Sequence, residues 1–460
     1  MNPAPARDLL VISDLHLGDL GANGLLEQEL CSFLDHHRAD GRWRLVVNGD
    51  MIDLVGVTVM PADVGWLTGL HPDDHLYGLG ARAHAAALKL RWVIERHAAV
   101  FRALGSFVGA GHTVAIVVGN HDVELHWPEV QQVLLDGIAA VTPGVDPDVI
   151  RAGITVHDWV FFEEGVAWIE HGHQYDPYCS FEEVLEPATD EQEADPNLGA
   201  LLPRYIGGQV QDDIHHLWGS TFWGYLRFWA GQGTDRLQAI VGAYLDVFRR
   251  MVEHWRARLP ERLAARRARA RERLRRVARR LRLPEERLLA LAALAVPPVS
   301  VDLGRIVRAL MIDRLVLLVF GPLVALIPFV LLPWEWVPLG AIGALVPLTW
   351  FGRSSLVARE PTDPSETMRR IARSIRELAK VPIVVMGHSH AACAEGDGRG
   401  WYFNTGTWVG SDPDRPFTHL RIVHTDRGWR AALCQWRDGA SRAYDAAGLA
   451  SFAWVPRSPE

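Results

Sequence analysis

Cysteine is scarce in this 460-residue chain: Cys31, Cys179, Cys393 and Cys434 are the only four, with no CxxC spacing and no dense framework. That argues against a disulfide scaffold and is the pattern of reduced thiols in a cytosolic setting. A secretory leader is not expected either, because residues 1–7 are short and Pro-rich and run straight into the apolar stretch 9–12, with no basic region ahead of a long apolar one. Charge does not dominate: 22% of residues are charged against 49% hydrophobic, which is globular rather than disordered. At this length one hydrophobic core is rarely enough, so two or more structural units are expected.

What the chain does contain is a repeated pairing of a short apolar run with a polar loop. The run 9–12 leads to Asp14-Leu15-His16, and 45–47 leads to Asn48-Gly49-Asp50-Met51-Ile52-Asp53. Next, 114–118 leads to Gly119-Asn120-His121-Asp122, 166–169 to Glu170-His171-Gly172-His173, and 383–386 to Gly387-His388-Ser389-His390. Any one of these loops alone is more often a turn than a site, but five in one chain are hard to obtain by chance. Between them lie segments with helical character. Leu25, Leu26, Leu30, Phe33 and Leu34 recur at helical spacing, 82–104 is Ala-rich and free of Pro, and 129–138 is helical again. Alternating strand and helix predicts a layered α/β domain. The alternation stops after 175 and resumes at 363, where Asp363-Pro364-Ser365-Glu366 starts a helix whose Met368, Ile371, Ile375 and Leu378 share one face. The expected organisation is a discontinuous catalytic domain, 1–175 plus 363–460, with a helical insertion at 176–362.

The loops supply carboxylates, imidazoles and one amide: Asp14, His16, Asp50, Asn120, His171, His388 and His390. That donor set suits two divalent ions about 3.5–4 Å apart, which can clamp a phosphoryl group and lower the pKa of a water between them. With no thiolate present it favours Mn, Fe or Zn, and ligand type does not choose among the three. Asp122 reads as a brace for its loop. His36, His37, His84, His97, His112, His215 and His216 have no companion motif and read as ordinary histidines.

Asp14-x-His16, Gly49-Asp50-x-x-Asp53, Gly119-Asn120-His121-Asp122, His171 and Gly387-His388-x-His390 together resemble the calcineurin-like metallophosphoesterases. The resemblance implies a four-layer α/β/β/α sandwich and a dinuclear metal centre. One metal would take Asp14, His16, Asp50 and His390; the other would take Asp50, Asn120, His171 and His388, with Asp50 bridging. His121 would contact the phosphate or protonate the leaving group, and Asp53 would orient it. His173 is a candidate substrate contact or a turn cap. The stretch 13–19, Ser-Asp-Leu-His-Leu-Gly-Asp, is similar in style to the UDP-2,3-diacylglucosamine pyrophosphatase branch, which cleaves a lipid-linked diphosphate at a membrane surface. That branch typically carries Arg where this chain has His121, and its insertion is shorter.

The insertion has its own character. From 249 to 287 there are sixteen Arg and five Glu, a net of +11 in a chain whose total is −8. Leu263, Ala270, Leu274, Val277 and Leu281 run through this stretch as an apolar seam, predicting a basic amphipathic helix that is either solvated or attracted to anionic lipid or nucleic acid. Two uncharged runs follow, 315–332 and 336–351, reaching roughly 27 and 24 Å as helices. They predict a membrane-associating hairpin on the cytoplasmic face, with Arg305, Arg308, Arg314, Arg353 and Arg359 flanking it and Trp218, Trp223 and Trp229 in an interfacial belt. A buried hairpin inside a cap or oligomer interface is the alternative. The expected function is a metal-dependent phosphoesterase, of phosphodiesterase or pyrophosphatase type, acting on a lipid- or nucleotide-linked phosphate at the membrane. A nuclease with the same metal centre and a catalytically silent membrane scaffold are the competing readings.

Overall fold

The computed structural model describes residues 7–18, 23–57, 72–188, 193–207, 227, 234–357, 363–409, 417–426, 428–444 and 452–456. Asp19, Arg359, His215, His216, Trp218, Trp223 and Trp229 lie outside them.

Leu- and Val-rich runs of four to six residues, buried on both sides, form the first strands. In chain order the strands are β1 (Asp8–Ile12), β2 (Trp43–Asn48), β3 (Thr113–Val117), β4 (Ile154–His157), β5 (Val160–Glu163), β6 (Ala167–Glu170), β7 (Ile383–Met386), β8 (Cys393–Gly396), β9 (Trp401–Asn404), β10 (Thr418–Thr425), β11 (Gly428–Arg437), β12 (Ala440–Ala443) and β13 (Phe452–Pro456). They make two sheets, so the chain is a mixed α/β protein. One sheet has the order β12-β11-β10-β1-β2-β3-β4, with β13 also on β11; the other has the order β5-β6-β7-β9-β8. β1 to β4 are mutually parallel, and β6, β7 and β9 are parallel in the second sheet. Both sheets therefore join residues before 171 to residues after 382. Leu9 sits opposite Ile422, and Ile169 opposite Val385.

The core divides accordingly. Leu9, Val11, Val46 and Leu420 of the first sheet share one apolar cluster with Ile169, Val385 and Phe403 of the second. A second cluster packs the helices Asn23–Arg38, Ala83–Arg96, Ala98–Gly109 and Pro128–Val141 on the first sheet through Phe33, Leu90, Phe101 and Leu134. A third packs helix Ser365–Ala379 against the second sheet through Met368, Ile371 and Ile375. The Ser365 N–H donates to Asp363 Oδ1 at 2.9 Å, but the helix begins one residue later than Asp363-Pro364 suggested, with Pro364 at its N-cap and no side-chain cap there.

The segment 82–104, expected as one helix, is broken at His97. That imidazole is buried and paired with Glu27, a tertiary contact that helix propensity does not register. In the basic helix Pro260–Leu281 the seam of Ala270, Leu274 and Val277 is buried, and Leu274 and Val277 lie in the cluster that holds Leu288 and Met368. The seam thus faces the chain's own core. Arg266 is 1% exposed and lies 2.7 Å from Asp195, while Arg269 and Arg273 reach Glu186. The helices Ile312–Leu331 and Val337–Val357 pack on each other, yet they expose Phe320, Phe329, Val330, Leu339 and Trp350, and the turn between them exposes Trp334. Ile312–Leu331 is long and apolar enough to cross a membrane.

Candidate metal centre

Every candidate ligand leaves the C-terminal end of a strand, the edge of parallel sheets where ligands collect. Asp14 and His16 follow β1, Asp50 follows β2, Asn120 follows β3, His171 follows β6, and His388 and His390 follow β7. The turns that aim them are strained. Asp14, His16, Asp50, His388 and His390 all have positive φ, between 46° and 61°, and make up half of the ten non-glycine residues in that region among the described residues. Left-handed backbone outside glycine costs free energy, and it persists where surrounding structure over-determines it.

Side chains from separate loops converge without clashing because glycines leave room. A Cβ on Gly119 would stand 2.2 Å from Asp50 Oδ1, and one on Gly387 would stand 2.5 Å from Asp14 Oδ2. The loops are then braced from behind. Asp122 accepts from the backbone N–H groups of Gly119 and Met51 at 2.6 and 2.8 Å, as expected of a loop brace. Asn404 Nδ2 donates to the Gly387 carbonyl and to Ser389 Oγ, at 2.7 and 3.0 Å.

Two donor groups result. In one, Asp14 Oδ1 lies 3.1 Å from His390 Nε2, and His390 Nε2 lies 3.2 Å from His16 Nε2. In the other, His171 Nε2 lies 3.1 Å from Asp50 Oδ2 and 3.2 Å from Asn120 Oδ1, with His388 beside them. Asp50 is common to both, since its Oδ2 is also 3.8 Å from His16 Nε2. His171 Nδ1 donates to the Asn48 carbonyl at 2.9 Å, which turns the Nε2 lone pair toward Asp50 and Asn120. Acceptors facing acceptors in a buried site require positive charge between them. Burial weighs against charging His171, but Asp50 outweighs it and raises the pKa to about 9. Either a proton or a metal ion meets that demand, and the donor set fits a divalent cation.

His121 stands beside these groups. Its Nδ1 is 2.8 Å from Asp53 Oδ1, and its ring packs edge-on against His16. Burial favours the neutral imidazole, but Asp50 and Asp53 outweigh burial and raise it to about 10; Asp53, despite its own burial, is lowered to about 2 by His121. His173 is buried beside His388 and Phe181, and its Nδ1 has no hydrogen-bond partner among the described residues.

Two residues of the site had no role assigned from the motifs: Asp176 lay outside them, and Glu170 stood in one only as the residue ahead of His171. Asp176 Oδ2 lies 3.0 Å from His388 Nε2, and the two group with Cys179 as a further set of possible metal donors. Glu170 is buried behind His171 and accepts from Trp159, Gln174 and Tyr175 at 2.7–2.8 Å; burial raises its pKa to about 7. The position of Asp176, five residues past His171, was the one available hint.

No family model and no curated protein matches the chain. Among solved structures it is similar to a single mutant of Vps29 from Entamoeba histolytica, at 20% identity over 16% of this chain and 44% of that one, with a TM-score of 0.14. An overlap that slight leaves the site geometry as the guide to function.

Proposed function

We propose that the chain is a dinuclear metallophosphoesterase that hydrolyses a phosphate ester or diphosphate at a membrane surface. The observation that carries this is the convergence of seven strand-end donors on a buried cluster with Asp50 common to both halves. Asp14, His16, Asp50 and His390 would hold one ion; Asp50, Asn120, His171 and His388 would hold the other. When bound, divalent ions supply Lewis-acid polarisation and an activated water. The chain's own residues do the rest. Asp53 holds His121 by Nδ1, leaving Nε2 to deliver a proton to the departing oxygen as water's oxygen bonds to phosphorus and the old P–O bond breaks.

The two sheets and three apolar clusters support a four-layer α/β/β/α catalytic unit assembled from 1–175 and 363–460, with 176–362 inserted. The exposed apolar hairpin supports membrane attachment, with both ends and the catalytic segments on the cytoplasmic side, and hence a lipid-linked or nucleotide-linked substrate. Arg266, Arg269 and Arg273 of the basic helix are taken by acids at 182–195, and the exposed apolar hairpin is a surface that suits lipid rather than nucleic acid, so lipid is the preferred partner. The test is reconstitution of purified protein with Mn, Fe or Zn, assayed on phosphomonoesters, phosphodiesters and diphosphates. Absence of metal-dependent turnover on all of them overturns the proposal.

A further inference from the structure

Beside the metal centre lies a cavity whose lining includes Lys89, Asn120, Glu124, Phe181, Asn197 and Arg204. It joins the first sheet's loops to the start of the insertion. Two of its charges are conspicuous. Lys89, one of only two lysines in the chain, is 3% exposed, and Glu124 is 1% exposed. Lys89 Nζ donates to the Leu54 carbonyl at 2.5 Å, and an ammonium has three protons to give. Glu124 Oε2 has no hydrogen-bond partner among the described residues, and no ion pair joins the two side chains there. The two other cations of the lining are committed: Arg204 donates to Asp74 and to the Gly78 carbonyl, and Arg250 donates to Glu193.

Position gives the pair its meaning. The Leu54 that receives Lys89 follows Asp53 directly, and the Leu54 N–H donates to the His121 carbonyl at 3.1 Å. Lys89 and Glu124 thus lie on the backbone side of the Asp53–His121 pair, in a cavity that meets the candidate metal centre at Asn120, which lines both. A ligand there must accept from an ammonium and donate to a carboxylate. A second phosphoryl group accepts only, and would face Glu124. A bare acyl chain would leave Glu124 Oε2 and the remaining protons of Lys89 without partners. Hydroxyl groups do both, and Phe181 offers an apolar face to the carbons that bear them.

We infer that this cavity binds a vicinal diol on the leaving group, as carried by a hexose, a ribose or a glycerol. The inference rests on the phosphoesterase proposal for the direction of departure, so its test has one arm without turnover. In the first arm, kcat/KM is measured on the full metal-loaded chain with glucose 1-phosphate against cyclohexyl phosphate, ribose 5-phosphate against pentyl phosphate, and glycerol 1-phosphate against propyl phosphate. A hydrogen bond to a charged group corresponds to about a ten- to hundred-fold preference. The hydroxylated member of at least one pair should win by that factor, and the pair with the largest preference identifies the source. Lys89→Met and Glu124→Gln should each shrink the preference to within about three-fold. Because the readout is a ratio within one sample, partial misfolding does not imitate it. In the second arm, saturation-transfer NMR with free glucose, ribose and glycerol, and cyclohexanol as control, reads binding alone. Polyol signals lost in both variants support the cavity assignment even in a chain that hydrolyses nothing, a result that would instead count against the phosphoesterase proposal. Hydrolysis with no preference in any pair, or polyol signals unchanged in both variants, overturns it.

Discussion

His121 is held from two sides: its Nδ1 lies 2.8 Å from Asp53 Oδ1, and its backbone N–H donates to Asp50 Oδ1 at 2.8 Å. The first contact orients the ring and the second ties it to the carboxylate shared by both donor groups. His121→Ala should therefore keep its metal while losing turnover by about 10²- to 10⁴-fold, the usual contribution of a general acid. The loss should be much smaller on p-nitrophenyl esters, whose leaving group needs no proton. Equal losses on nitrophenyl and alkyl esters would leave His121 only an electrostatic role. Asp53→Asn should show the same leaving-group dependence in milder form.

Asp50 contributes to both groups, so Asp50→Ala should fall from about two bound metal ions per chain to well below one. Elemental analysis after desalting decides this. Retention of both ions would break the assignment of Asp50 as the bridge.

The arginines of the basic helix should separate by burial. Arg266→Met leaves Asp195 and Glu182 without their buried cation and should destabilise the fold by about 3–5 kcal/mol. Arg271→Ala, on the exposed face, should shift stability by no more than about 0.5 kcal/mol. Thermal or denaturant melts compare the two.

Acid sensitivity is expected from a pair of histidines outside the two donor groups. Burial, with His37 adding to it, lowers His419 to about 3; burial lowers His37 to about 4. Both are neutral in the fold, while unfolded histidine titrates near 6.5. The unfolded chain therefore binds more protons below that value. Stability is full above pH 6.5 and falls toward pH 4, by up to roughly 1.4 kcal/mol per pH unit for each group. The double variant His37→Gln with His419→Gln should flatten the melting temperature over that window, and an unchanged slope would contradict the assignment.

Deleting 315–351 should convert a membrane-pelleting protein into a soluble, metal-loaded one that still cleaves water-soluble phosphodiesters but works poorly on bilayer-embedded substrate. If the full chain stays soluble without detergent, or the deletion unfolds the rest, the hairpin belongs to a cap or an oligomer contact instead.

The strand-end loops were legible in the sequence because each couples two signals, an apolar run and a polar cluster. What Asp14, His16, Asp50, His388 and His390 do with their backbones was not legible, since left-handed φ at these residue types is imposed by neighbours brought from elsewhere. The same holds for Asp176, which acquires a role only when His388 arrives. At the break, His97 meets Glu27 from another helix, and the basic helix read as solvated or drawn to anionic lipid or nucleic acid because the acids at 182–195 that pair its arginines are distant in sequence. Lys89 and Glu124 have no pattern around them that announces their burial, which comes from the fold.

Asp14 and the backbone N–H of His388 that it accepts are 374 residues apart, and β1 pairs with β10. During synthesis the first half of the metal centre must wait, with its sheet edge uncovered, until almost the whole chain has emerged. The apolar hairpin emerges before β7 does. On the proposal above, the nascent chain is moored to a bilayer before it owns a complete metal site, so it becomes an enzyme already in place.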